Sequence, residues 1–218
     1  GVGLADVYKA SLEANGITVT TVTAHGGDKA DYSAEVGVLS SAGGDALAVL
    51  GYLDQGGNQI IQGSLDSGAF DTFVLSDGMI GDSLTDTFGS DLDNSFGSMP
   101  GSLGEGAQMF TKYAEENGVN PSVYVGESYD AAALIILAMQ AGESTDKSSI
   151  AANIMNVANG PGEKIMAGEL SKGLKLLADG KSIDYQGATD VSFTDVGEAF
   201  GLFIEKGIEN GKFVNVSQ

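Results

Sequence analysis

The chain has 218 residues, with 30 acidic against 10 basic side chains for a formal charge of −20, a single histidine and no cysteine. Its apolar content is that of an ordinary globular chain, sufficient for one large lobe or two small ones. Every basic residue is lysine, so the cationic footprint that nucleic acid requires is absent, as is the guanidinium fork that grips carboxylates and phosphates at two points.

Residues 3–15 carry Leu4, Val7, Tyr8 and Leu12 at helical spacing and close on Asn15-Gly16, a helix stop signal. The alternating, β-branched run ITVTTVT at 17–23 is predicted as a strand. His25, beside Gly26 and Gly27, reads as a loop residue at a cleft mouth; a plain loop role and a role in touching ligand or tuning lobe closure with pH both stay open. Tyr32, Val36 and Leu39 then mark a helix, DALAVLG a buried parallel strand, and Tyr52 follows that strand directly. The next unit repeats the pattern, with Ile60, Ile61 and Leu65 on a helix face, FDTFVLS as the strand and Asp77-Gly78 after it. In an open α/β sheet, ligands bind in the crevice beyond the carboxyl ends of the strands, which makes Tyr52 and Asp77 candidates for one cleft. A tyrosine there can be a wall residue and an Asp before Gly a turn residue; their recurrence at the same point of consecutive units favours the ligand reading.

A short helix at 82–88 and a strand in SFGSM lead to Pro100-Gly101, the expected boundary between two lobes. Beyond it the spacing predicts helices at 106–118, at 122–139 with many alanines, at 147–157 and at 168–178, with a Gly-Pro-Gly loop at 160–162. From Ala188 the chain turns extended again, in TDVSF and in EAFGLFIEKGIENGKFV. The first helix has no strand before it, although a βα unit needs one, so an upstream segment is expected to be missing and the chain to have been processed or cut.

Other constellations carry less. The lack of cysteine excludes disulfides, thiol catalysis and thiolate metal sites, and one histidine makes a zinc site improbable. No apolar run approaches the roughly 18 residues of a membrane span. Gly1-x-Gly3 lacks the third glycine and preceding strand of a phosphate-binding turn. Asp91-x-Asp93-x-Ser95 opens like a calcium loop, but Phe96 stands where glycine is needed and Ser102 where a bidentate Glu is needed. Neither a nucleophile elbow nor a convincing base is present.

Taken together, Gly1-Val2-Gly3-Leu4, Asp31-Tyr32-Ser33, Gly51-Tyr52, Ser76-Asp77-Gly78 and Ser128-Tyr129-Asp130-Ala131-Ala132, with the closing strands at 193–213, resemble the type I periplasmic solute-binding proteins of ABC importers. The resemblance is to the branched-chain amino acid (leucine/isoleucine/valine) binding family. It implies a bilobal α/β fold of parallel sheets flanked by helices, here an incomplete copy lacking the first part of the N-terminal lobe and the opening strand of the second. On that reading residues 1–99 form the second lobe, 100–187 the later, mostly helical part of the first, and 188–218 the crossover and closing strands returning to the second. The family's pattern further implies that Asp77, often Glu in relatives, accepts the α-ammonium of an amino acid and that Tyr52 contacts the same end. It places Gly1 and Gly3, where the first helix opens, on the cleft, and Tyr124 on the wall of the other lobe, where a packing role is an equal alternative. The implied function is extracytoplasmic capture of a small amino acid or related amide for an ABC permease of the inner membrane. The protein would be monomeric and periplasmic, with its signal peptide gone, and would have no catalysis, cofactor or metal. A ligand-sensing receptor ectodomain is the alternative, and a flavodoxin-like or dehydrogenase-type enzyme domain the third choice.

Overall fold

The computed structural model describes residues 2–216. In chain order the elements are α1 (Val2–Ala14), α2 (Ser33–Ala42), β1 (Leu47–Val49), α3 (Asn58–Ser67), β2 (Phe73–Leu75), α4 (Asp82–Phe88), β3 (Phe96–Pro100) and α5 (Glu105–Glu116). There follow α6 (Val125–Ala141), α7 (Lys147–Ala158), β4 (Glu163–Met166), α8 (Leu170–Ala178), β5 (Ile183–Gly187), β6 (Ser192–Phe193), β7 (Ala199–Phe200), β8 (Phe203–Glu209) and β9 (Lys212–Asn215). The chain divides into two units, Gly1–Met99 with Glu205–Gln218, and Pro100–Ile204.

The first unit is an α/β layer built on a sheet of order β1-β2-β3-β8-β9. β1 and β2 pair in parallel, Leu47 opposite Phe73 and Val49 opposite Leu75, and β2 pairs in parallel with β3. Phe73 and Leu75 are buried, and Ile60 and Ile61 of α3 pack into the same core with Met79, Leu84, Leu92 and Ile208. Each such side chain, taken out of water, contributes about 1.5–3 kcal/mol. Ser64, also buried on α3, satisfies its hydroxyl by donating to the Ile60 carbonyl at 2.8 Å. β8 and β9 form an antiparallel hairpin turned by Asn210-Gly211, both at positive φ (52° and 71°), the backbone a two-residue hairpin loop needs. Asp93, from the calcium-like acidic stretch, holds that turn by accepting the Gly211 N–H at 2.9 Å.

The strand expected at 17–23 does not form. Exposure still alternates there, with Val19, Thr21 and Thr23 half-buried between exposed neighbours, the two-residue period of a strand. What it lacks is a partner: β1 is the outermost strand of its sheet, and among the described residues no backbone hydrogen bond joins 18–25 to it. A strand without a ladder is only an extended segment. For the same reason α1 forms but buries none of its residues, and Leu4 and Val7 stay exposed.

In the second unit, α6, α7 and α8 pack around a short parallel pair, β4 and β5, with Leu137, Val157, Ile165, Ile183 and Tyr185 at the centre. This pair was not expected from sequence, where no element was assigned to 163–166 or 183–187. β4, Glu163-Lys164-Ile165-Met166, is too short and too polar at its start to signal a strand, while β5, Ile183-Asp184-Tyr185-Gln186-Gly187, does alternate apolar with polar, a strand signal that the sequence reading passed over. Asp130 on α6, 2% exposed, binds the chain just after β5. It accepts hydrogen bonds from the Tyr185 hydroxyl (2.7 Å), the Ala188 N–H (2.8 Å), and the Thr189 N–H (2.9 Å) and hydroxyl (2.7 Å).

Candidate functional site

The site begins where β1 and β2 end. Because the two strands are parallel neighbours in register, the residues that follow them, Gly51-Tyr52 and Ser76-Asp77-Gly78, emerge side by side. Ser76 clasps the two ends: it receives the Gly51 N–H at 3.2 Å, its hydroxyl faces the Gly51 carbonyl at 3.2 Å, and its own N–H donates to the Val49 carbonyl at 3.2 Å. Gly78 lies against the Tyr52 ring, where an added side-chain carbon would stand 2.7 Å from Tyr52 Cδ1 and 2.5 Å from the Gly51 carbonyl. Only glycine lets the two turns approach so closely. Tyr52 is 55% exposed, so its ring is presented rather than packed away. Asp77 is half-buried; its Oδ1 receives the Gly78 N–H at 2.9 Å as the chain enters a short turn at Asp77–Met79.

A third segment reaches the same place. The His25 imidazole lies beside Gly51, 3.4 Å from where a side-chain carbon on that glycine would sit. Behind it Tyr32, 3% exposed, donates its hydroxyl to the Gly26 carbonyl at 2.7 Å and meets the imidazole edge-on at 5.8 Å between ring centres. Gly56, at φ +97°, passes under the Tyr32 hydroxyl, where any side chain would collide with it. Lys29 pairs with Glu35 and stands 5.5 Å over the Tyr32 ring. The Lys29 ammonium holds the Glu35 carboxyl below the usual carboxylate range. Asp31 is lowered in the same direction by the Ser33 N–H and hydroxyl, which it receives at 2.9 and 2.8 Å at the start of α2.

Of the residues singled out from sequence, Tyr52 and Asp77 therefore stand together. Gly3 lies in the first turn of α1, exposed, with nothing within 4 Å of a side chain built on it; Gly1 lies outside the described residues. Tyr124, in the second unit, caps the start of α6 in the left-handed region at φ +67° and is 40% exposed. A tyrosine in that conformation is uncommon, and such strain gathers at functional positions. Ser76 entered the sequence reading only as part of the Ser76-Asp77-Gly78 segment, with no role of its own. Its signal was position alone, one residue ahead of the candidate acid. The arrangement offers a carboxyl group, an aromatic face and an imidazole at one sheet edge. Among the described residues, no group of three or more His, Asp or Glu side chains is disposed to hold a metal ion.

No family model matches this sequence, and no curated protein matches it. Solved structures do match its fold. A leucine-binding protein of Thermotoga maritima superposes with a TM-score of 0.74 at 20% identity, over 99% of this chain and 56% of that one. A type 1 periplasmic binding protein of Bordetella pertussis gives 0.72 at 19% identity, over 99% and 57%. An ABC-transporter solute-binding protein of R. palustris, solved with benzoate, gives 0.66 at 12% identity, over 96% and 52%. The chain thus has the type I periplasmic binding protein fold and spans a little over half the length of these proteins. No helix among the described residues is long and apolar enough to cross a membrane.

Proposed function

We propose that the chain belongs to an extracytoplasmic, periplasmic solute-binding protein that captures a small amino acid or related amide and releases it unchanged to an ABC permease of the inner membrane. The observation that carries this reading is the pairing of Tyr52 with Asp77 at the ends of two adjacent parallel strands, fixed there by Ser76. The structural neighbours support it, one of them a leucine-binding protein and another solved with benzoate. An ammonium leaving water needs an ionised acceptor, and a charge-assisted hydrogen bond of this kind contributes about 1.5–3 kcal/mol net. Asp77 supplies the acceptor and Tyr52 an apolar face beside it.

In this reading the protein works as a monomer and does no chemistry. Contacts made only in a closed, ligand-loaded form shift the population toward that form, which the permease recognises. Calorimetry on the full-length protein tests the proposal. Asp77→Asn is expected to weaken amino-acid or amide binding by about tenfold or more, as loss of a charged hydrogen-bond partner should, with an unchanged melting temperature. Equal affinity in the two proteins removes the ammonium contact, and turnover of any bound compound removes the binding reading.

A further inference from the structure

His25 is a polar group at the strand ends that the pairing of Tyr52 with Asp77 leaves unused. Its Nδ1 lies 3.3 Å from the Gly26 carbonyl oxygen, which can only accept, so the tautomer that makes this hydrogen bond carries its proton on Nδ1. Nε2 is then the bare acceptor. That nitrogen faces Gly51, where a side-chain carbon would come to 3.4 Å, and glycine leaves the approach open. Tyr32 holds the ring from behind, edge-on and itself pinned to the Gly26 carbonyl. The neighbouring charges, Lys29 and Glu35, are occupied with each other. Gly51 is in turn clasped to Ser76, one residue from Asp77.

We infer that His25 is a ligand contact in the same site, its Nε2 accepting an N–H from the solute alongside Asp77. His25 lies against Gly51, and Asp77 follows the Ser76 that clasps Gly51, so acceptors from two segments stand at one sheet edge, which favours a solute with N–H donors over a donor-free anion. This deepens the solute-binding reading and rests on it.

The test uses the whole protein, with L-leucine and acetamide as N–H donors and benzoate as the donor-free anion. His25→Leu is expected to weaken binding of the donor solutes by about fivefold, the size of one neutral hydrogen bond, while His25→Gln, which keeps an acceptor, restores most of it. Gly51→Ala leaves the imidazole in place and sets a methyl group before Nε2, so it should weaken the same solutes. In nitrogen NMR, the Nε2 resonance absent from the His25→Leu spectrum should move on adding the donor solute while Nδ1 stays protonated. An unmoved resonance and equal affinities, with Asp77→Asn still impaired, overturn the role of His25 and leave the solute-binding reading standing. Preference for benzoate over both donor solutes also overturns it. Failure of all three compounds to bind overturns both.

Discussion

Asp130 accepts four hydrogen bonds while almost wholly out of water, and the two facts pull its carboxyl in opposite directions. Burial wins and raises it above the ordinary value of 3.8, against the donors that favour the ionised form. Burial, with Asp130 beside it, pushes the Tyr185 hydroxyl up as well. A raised carboxyl binds its proton more readily in the folded chain than in the unfolded one. The stability it contributes is therefore present below its unfolded value and lost as pH rises through its folded one. Asp130→Asn removes that dependence. It also brings an amide nitrogen against backbone donors, leaving one unsatisfied at a cost of about 1–3 kcal/mol. Melting both proteins across a pH series checks this: the advantage of the native chain over Asp130→Asn should narrow as pH rises from the acid side, and a widening advantage would mean that the four donors outweigh burial.

At the level of elements, the helices and the three parallel strands of the first unit were readable from periodicity, although α1 carries its apolar spacing without burying any of it. The Asn210-Gly211 hairpin turn fell inside a tail read only as extended. The adjacency of Tyr52 and Asp77 was readable too, since consecutive βα units in a parallel sheet must deliver their strand ends side by side. What Ser76, His25 and Gly78 do was not, because their partners lie on other segments and no local pattern encodes them. β4 escaped because it is too short and too polar at its start, whereas the alternation of β5 was passed over. The 17–23 segment is the reverse case, strand-like in every residue but without a ladder. Its amides should exchange with solvent at loop rates in this chain, while Val74 and Leu75, between two parallel neighbours, are protected. Hydrogen exchange read by mass spectrometry or NMR decides it, and slow exchange across 18–24 means a partner has been found.

For the molecule as a whole, 30 acidic residues against 10 lysines leave many more carboxylates than the few ion pairs can engage. Self-repulsion on that scale destabilises the compact state, and salt relieves it. Screening lengths fall from about 30 Å at 0.01 M to about 10 Å at 0.1 M ionic strength, so the melting temperature should rise over that interval and level off above it. A melting temperature that falls with salt would mean that the exposed pairs outweigh the repulsion.

The same repulsion has a second task. Residues 17–24, ITVTTVTA, contain no charge, proline or glycine; Thr20 reaches the Gly43 carbonyl just ahead of β1, the outermost strand of its sheet. Such a segment is a nucleus for cross-β stacking between copies. Near the isoelectric point, about 4.1, the acidic surface no longer keeps copies apart, while the segment is unchanged. Storage of this chain at that pH should yield thioflavin-positive fibrils, and Val22→Lys, a gatekeeper charge on an exposed position of the run, should delay them.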